Sequence, residues 1–241
     1  MKDQLILKKR RSFLLITFLL LTTLLTFKIF KKVNLQDISI TGSELFSSDD
    51  IASNLSLKLP TRLIFIKTKY AEKELKKNLS LENVSVFRQI FPFGLKVLVK
   101  TRSPIAYGEM ILNEEKITGF VDENGFFIKE KYLDKKNLKK ISCKIIGWKE
   151  KFRGTLSKIL NFQKDKAVEF VTIKFSPNGF LTLEEKSLKI ILLGLNPEII
   201  ETQLQIVNAL KNQLIGENIL KRIDNIDLTE PNNPKIKVFK P

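Results

Sequence analysis

The acid pairs Asp49-Asp50, Glu114-Glu115 and Glu184-Glu185, and one thiol, Cys143, are the candidates for acid, base or nucleophilic chemistry in this chain of 241 residues. There is no histidine, so neither the usual general base nor the commonest zinc ligand is present. One cysteine permits no intramolecular disulfide and no CxxC motif. Neighbouring side chains on a strand point to opposite faces, so neither glutamate pair can share a substrate, and solvated turn positions are the expected role of both. Asp49-Asp50 follows Ser47-Ser48, which predicts capping oxygens and first-turn charge rather than a catalytic pair. Cys143 lies in the apolar-polar run Ile141 to Ile146 and reads as packed. These residues predict no catalytic, cofactor-binding or metal-binding site and no enzyme.

What the side chains lack in chemistry they hold in charge. Lys and Arg number 42 against 26 Asp and Glu, a net charge of +16. Residues 1–32 account for +7 of it and residues 33–241 for +9. Only seven of the basic residues are Arg. Arg is the preferred side chain for bidentate phosphate and guanine contacts, so this balance argues against nucleic-acid readout. Residues 129–151 hold nine Lys and three acids, a segment that could meet an anionic polymer or lipid headgroups and that reads first as a solvated face.

Ser12 to Phe27 is sixteen residues without a charge. It covers roughly 24 Å as a helix, or about 28 Å if Lys28 snorkels and Ile29 and Phe30 join it. That approaches the ~30 Å hydrocarbon core of a bilayer. The predicted anchor is carried by Phe13, Leu14, Leu15, Ile16, Phe18, Leu19, Leu20, Leu21, Leu24, Leu25 and Phe27. A cleaved secretory signal is the rival reading, but the run ends in Thr26-Phe27-Lys28-Ile29-Phe30 with no small-x-small cleavage site. Lys8, Lys9, Arg10 and Arg11 abut the near end and favour a cytoplasmic N-terminus. The expectation is therefore a single-pass protein with a cytoplasmic tail at 1–11, a membrane helix at 12–30, and its bulk on the far side of a plasma membrane. Thr22 and Thr26 form a weak small-xxx-small pair.

Beyond the anchor, Asn34 to Thr41 alternates like a short half-buried strand. A helix is predicted to start at Ser47-Ser48-Asp49-Asp50, with Ile51, Leu55 and Leu59 on one face, ended by Pro60, and a second, capped by Thr68, with Ala71, Leu75 and Leu79 on one face. Val84 to Phe91 and Leu95 to Arg102 then read as strands separated by a Phe-Pro-Phe-Gly turn. The order is β-α-α-β-β. From residue 105 the pattern turns to strands: Ile105 to Leu112, Lys116 to Val121, Phe126 to Ile128, Val168 to Phe175, Gly179 to Glu185, Leu188 to Leu193, Ile223 to Leu228 and Lys235 to Phe239. Two amphipathic helices intervene, one marked by Phe152, Leu156, Ile159 and Leu160, the other by Asn196 as cap, Pro197, and Ile200, Leu204, Val207, Leu210 and Leu214. The fold class is α+β: one transmembrane helix, a small β-α-α-β-β unit at 33–104, and a β-rich domain with two packed helices at 105–241.

Two helices over three strands resembles a POTRA domain, and the full layout resembles the bacterial cell-division family FtsQ, called DivIB in Gram-positive organisms. Arg102-Ser103-Pro104-Ile105-Ala106 is similar to the family's Glu-Arg-x-Pro-x-Ala step, with Thr101 in place of the Glu. Val121-Asp122-Glu123-Asn124-Gly125 resembles its V-D-x-x-G turn, Ile191-Leu192-Leu193-Gly194 its L-G strand end, and Ile226-Asp227-Leu228 its late I-D-L strand. The resemblance runs from the membrane helix to Val238. It implies a scaffold without catalysis or cofactor that joins FtsB-like and FtsL-like proteins at the division septum and helps control septal peptidoglycan synthesis, with other division proteins meeting the POTRA unit. Binding would take the form of β-augmentation, a partner strand added to a sheet edge. The candidate edge is Lys235, Ile236, Lys237, Val238 and Phe239, where lysines discourage indiscriminate pairing; a last strand that merely closes the sheet is the other reading. The competing function is a POTRA-bearing accessory of protein export or outer-membrane assembly.

Overall fold

The computed structural model describes residues 2–112, 114–133, 141–166, 168–214 and 222–239, with side chains from Arg10 onward except Ile29. Part of the predicted Lys-rich segment, residues 134–140, and Asn113, next to the predicted Glu114-Glu115 turn, lie outside the described residues. The chain divides into two compact units, Met1–Thr101 and Arg102–Pro241.

In the first unit, α1 (Lys2–Phe30) contains a stretch, Arg10–Lys28, long and apolar enough to cross a membrane. Its threonines turn their hydroxyls back on the helix: Thr17 donates to the Phe13 carbonyl at 2.8 Å, Thr23 to Leu19 at 2.7 Å and Thr26 to Thr22 at 2.7 Å. These polar groups are thus satisfied without water, as hydrocarbon requires. Only Lys31 separates α1 from β1 (Lys32–Val33), which pairs with β3 (Thr61–Arg62).

The body of this unit is a three-stranded sheet in the order β2 (Ile38–Thr41), β5 (Gly94–Lys100), β4 (Asn83–Gln89). β2 runs parallel to β5 and β4 antiparallel to it. Helices α2 (Ser48–Ser53) and α3 (Thr68–Asn78) complete it. Ile51, Ala71, Leu75, Val86 and Val97 are among its buried residues. Asp50 does cap: Ser47 Oγ accepts from the Asp50 N–H at 3.1 Å while Asp50 Oδ2 accepts from the Ser47 N–H at 2.8 Å.

Two predicted details differ. α2 stops at Ser53 instead of reaching Leu55 and Leu59, because the Asn54 side chain donates to the Asp50 carbonyl at 2.9 Å and competes with the helical ladder. Thr68 is the first residue of α3 rather than its cap. At the β4–β5 turn Gly94 has φ +146°, and a Cβ there would come within 1.9 Å of the Asp37 carbonyl oxygen.

Among the described residues, the second unit is built on one nine-stranded sheet ordered β14-β13-β12-β11-β10-β9-β6-β7-β8. In chain order these are β6 (Ala106–Leu112), β7 (Glu115–Val121), β8 (Phe127–Lys129), β9 (Cys143–Ile146), β10 (Phe170–Phe175), β11 (Leu181–Glu185), β12 (Lys189–Gly194), β13 (Ile223–Asp227) and β14 (Lys235–Val238). β9 lies parallel to both β6 and β10, and β12 parallel to β13. Helix α4 (Arg153–Asp165) makes the β9 to β10 crossover and α5 (Ile200–Leu214) the β12 to β13 crossover. Crossovers between parallel neighbours are right-handed almost without exception. Both of these step across the sheet in the same direction, so both helices land on one face and share one core. Leu156, Ile159 and Leu160 of α4 and Ile200, Leu204 and Val207 of α5 pack there with Ile145, Ile173, Leu183, Ile191 and Ile226. The opposite face carries exposed Tyr107, Lys144, Lys174 and Ile190, and a small satellite cluster of Phe120, Ile128 and Leu133. α5 begins at Ile200, three residues later than predicted; Asn196 caps a preceding turn instead, its Oδ1 accepting from the Glu198 N–H at 3.0 Å.

Candidate functional site

β14 ends the sheet order, and among the described residues no strand lies beyond it. It pairs antiparallel with β13, setting Ile236 opposite Ile226, Lys237 opposite Asn225 and Lys235 opposite Asp227. The Phe239 N–H donates to the Arg222 carbonyl at 2.8 Å, so the pairing continues one residue past the strand. Because Ile226 and Ile191 face the helix-bearing core, Ile236 and Val238 point to that same side, yet they stand 41% and 39% exposed. Lys235 and Lys237 point the other way. Lys237 Nζ lies 3.5 Å from Asp224, and Lys235 faces Asp227. Hydrogen bonds from the Thr229 hydroxyl and N–H, and then the Lys235 charge, hold the Asp227 carboxyl below its ordinary value despite some desolvation. Each residue of the predicted edge from Lys235 to Phe239 is thus exposed, with an apolar row on one side and a compensated basic row on the other.

The edge is only as well placed as β13, and α5 places β13. Gln203, fully buried, donates both hydrogens of its amide nitrogen, one to the Leu193 carbonyl at the end of β12 and one to the Leu228 carbonyl just past β13, each at 2.7 Å. One side chain thereby pins two strand ends together beneath the helix. Farther along α5, Lys211 Nζ reaches Glu185 Oε1 at 2.7 Å. Glu185 is 1% exposed. Its other oxygen accepts from the Ser187 and Leu188 N–H groups at 2.6 and 2.8 Å, so the carboxylate organises the β11–β12 turn as well. Desolvation pushes its pKa up, but the Lys211 hydrogen bond, the two backbone N–H donors and the Lys211 charge outweigh it, and the net shift is downward.

Glu185 corrects a prediction. Neither it nor Glu184 is the turn residue predicted, since both lie in β11, and whereas Glu184 is exposed, Glu185 faces the core. The signal was available in the alternation Leu181, Leu183, Glu185, which continues the inward face.

Two of the family-like motifs meet at the start of the second unit. Arg102 Nη1 donates to Asp122 Oδ2 at 2.6 Å, with both side chains 5% exposed. Asp122 Oδ1 accepts from the Asn124 and Phe126 N–H groups at 3.0 and 2.8 Å. The Phe126 ring lies 3.7 Å from the Arg102 guanidinium carbon and 4.2 Å from that of Arg153. Gly125 has φ +75°, and a Cβ there would approach the Arg153 carbonyl oxygen to 2.7 Å. Trp148 Nε1 donates to the Gly125 carbonyl at 2.8 Å. The Arg-x-Pro step and the V-D-x-x-G turn are therefore the two halves of one buried, hydrogen-bonded joint.

Cys143 sits inside β9, a central strand, opposite Ala106. It is 2% exposed, and burial pushes its thiol up to about 12, which keeps it protonated and inert as a nucleophile at neutral pH. Among the described residues no three His, Cys, Asp or Glu side chains gather where they could hold a metal ion. The anchor residues from Phe13 to Phe27 lie along α1, and the span they form is unburied within the structure. Comparison with known proteins finds that residues 33–102 match the family model described as POTRA domain, FtsQ-type. No curated protein matches the chain.

Proposed function

We propose that this chain, which carries an FtsQ-type POTRA domain behind an N-terminal apolar helix and is consistent with the FtsQ/DivIB family of bacterial cell-division proteins, is a bitopic scaffold of the division machinery without catalytic activity. The match at residues 33–102 is the observation that carries this reading. In it, residues 1–11 are a cytoplasmic tail, 12–30 cross the inner membrane, and 33–104 and 105–241 form a POTRA and a β domain outside the cytoplasm at the septum. β14 receives a strand from an FtsB-like partner, with an FtsL-like protein in the same complex, and the assembly helps control septal peptidoglycan synthesis. The POTRA unit meets other division proteins.

Magnitudes say how such an edge would bind. A four-residue strand offers about four main-chain hydrogen bonds at roughly 1 kcal/mol net each. Alone that gives an affinity near the millimolar range before association costs. The apolar row of Ile236 and Val238, with Phe239 beside it, must supply the rest. The test is capture from membranes with the tagged full chain, comparing wild type with Val238→Asp. Val238 is exposed, so the substitution leaves the fold intact, and partners of FtsB and FtsL type should co-purify with wild type and drop at least about tenfold with the variant. Equal capture by both, or muropeptide turnover by the purified chain, would sink the reading.

A further inference from the structure

The passage from α1 into the first unit has no slack. Between Lys28, the last residue of the apolar span, and Lys32, the first of β1, there are three residues. The Leu63 N–H donates to the Lys31 carbonyl at 3.2 Å, and β1 pairs at once with Thr61–Arg62. Even fully extended, four residues reach about 14 Å, so the parts of the unit next to Lys28 lie at the depth of the headgroups if α1 spans a bilayer. Those parts are unusually apolar and aromatic. Phe91, at the tip of the β4–β5 turn, is 70% exposed, and its ring centroid lies 3.6 Å from Lys28 Nζ. Phe93, in the same turn, lies 4.7 Å from Lys31 Nζ. Phe65 is 62% exposed in the short 3-10 turn that begins at Leu63, the residue bonded to Lys31.

We infer that the tip of the β4–β5 turn, led by Phe91 and supported by Phe65, is a second membrane contact that dips into the interfacial layer of the outer leaflet beside the exit of α1. The occupant is lipid because continuity with α1 and charge agree on it. Lys28 is the residue that marks where the hydrocarbon ends, and the phenylalanine stacked on it shares its level. Around them Lys31, Lys32 and Arg62 supply cations to meet phosphate, the arrangement of aromatic ring plus base that holds proteins at a membrane surface. The unit would then lie against the bilayer with a fixed tilt, anchored at two points instead of swinging from one. This inference rests on the reading that α1 crosses the membrane.

Cys143 makes the test simple, since its buried thiol should ignore maleimides in the folded protein. The full chain is prepared as three variants, Phe18→Cys, Phe91→Cys and Asn83→Cys, each labelled with a nitrobenzoxadiazole dye and reconstituted in phosphatidylcholine vesicles with a minority of phosphatidylglycerol. Asn83 is at the other end of the same hairpin, about 20 Å from the tip at ~3.4 Å per residue. Dye at position 18 should be quenched by spin labels at the acyl-chain ends. Dye at 91 should be quenched at least about twofold by spin labels just below the headgroups, the depth of interfacial aromatics. Dye at 83 should be quenched by neither. Failure of quenching at 18 would reject the spanning reading itself. Quenching at 18 with position 91 as aqueous as position 83 would overturn the second contact alone, and so would a dry position 91 that no lipid probe reaches, because a protein surface would then be covering it.

Discussion

Lys211 and Glu185 show how much can depend on one pair. Glu185 is buried, and truncating its partner would leave an uncompensated charge, the costliest outcome for such a pair. Lys211→Ala should therefore lower unfolding free energy by about 3 kcal/mol, read from the midpoint of urea denaturation. Lys237→Ala, which loses a solvent-exposed contact to Asp224, should change it by less than about 0.5 kcal/mol. The sign of the pH dependence follows from the lowered pKa of Glu185. The folded state binds that proton less tightly than the unfolded state, so the stabilisation is fully present above the ordinary value of 4.5 and is lost as pH falls below it through the folded value. Glu185→Gln should flatten that part of the acid limb, and an unchanged limb would remove Glu185 from the account. Arg102 and Asp122 give a second residue-scale test. Arg102→Ala and Asp122→Ala should each cost about 3 kcal/mol, and the double variant clearly less than their sum, because the second change removes the charge stranded by the first.

At the scale of elements, β9 is the decisive case. It is four residues long, lies between β6 and β10 in parallel to both, and carries fully buried Ile145. Ile145→Ala should cost about 3 kcal/mol in the same denaturation experiment, the usual loss for a core isoleucine. Its sequence did not announce this position. Ile141 to Ile146 is short, flanked by lysines, and its alternation rests on a cysteine and two isoleucines, so periodicity identifies an apolar run and not a central strand. The strands with a clear alternation and a Gly turn, such as β4, β5 and β11, were legible, as were the buried stripes of α3, α4 and α5. Helix ends were not, because side chains such as Asn54 and Asn196 decide them by bonding to nearby backbone. Sheet order was hidden too, since parallel pairing across a helix leaves no mark on local sequence. Of the candidate edge, the alternation of Lys235, Ile236, Lys237 and Val238 was legible. Of the devices beneath it, the inward position of Glu185 was marked by the alternation along β11, but its partner Lys211 and the two strand ends that Gln203 bridges were not, because polar residues on a helix look like solvent positions until what they reach is known.

At the scale of the whole molecule, charge and hydropathy are sorted along the chain rather than spread over it. The first 32 residues combine a net charge of +7 with the apolar run of α1. A chain held by such a helix should stay in the membrane fraction through an alkaline carbonate wash, whereas a peripheral protein held by lysines alone would be released. Protease added to spheroplasts should consume residues 33–241 and spare the N-terminal tail. Protection of the bulk from that protease would reverse the orientation proposed for it.

The position of β14 at the far end of the strand order also carries a consequence for biogenesis. A polypeptide threaded N-terminus first delivers the anchor, then the small module, then eight strands of the large sheet before Lys235 emerges. Until then the rim on that side is β12 or β13, with a different set of side chains. If β14 is what a partner grips, recruitment waits on all nine strands: a molecule stalled or clipped before Lys235 would show that partner a different border.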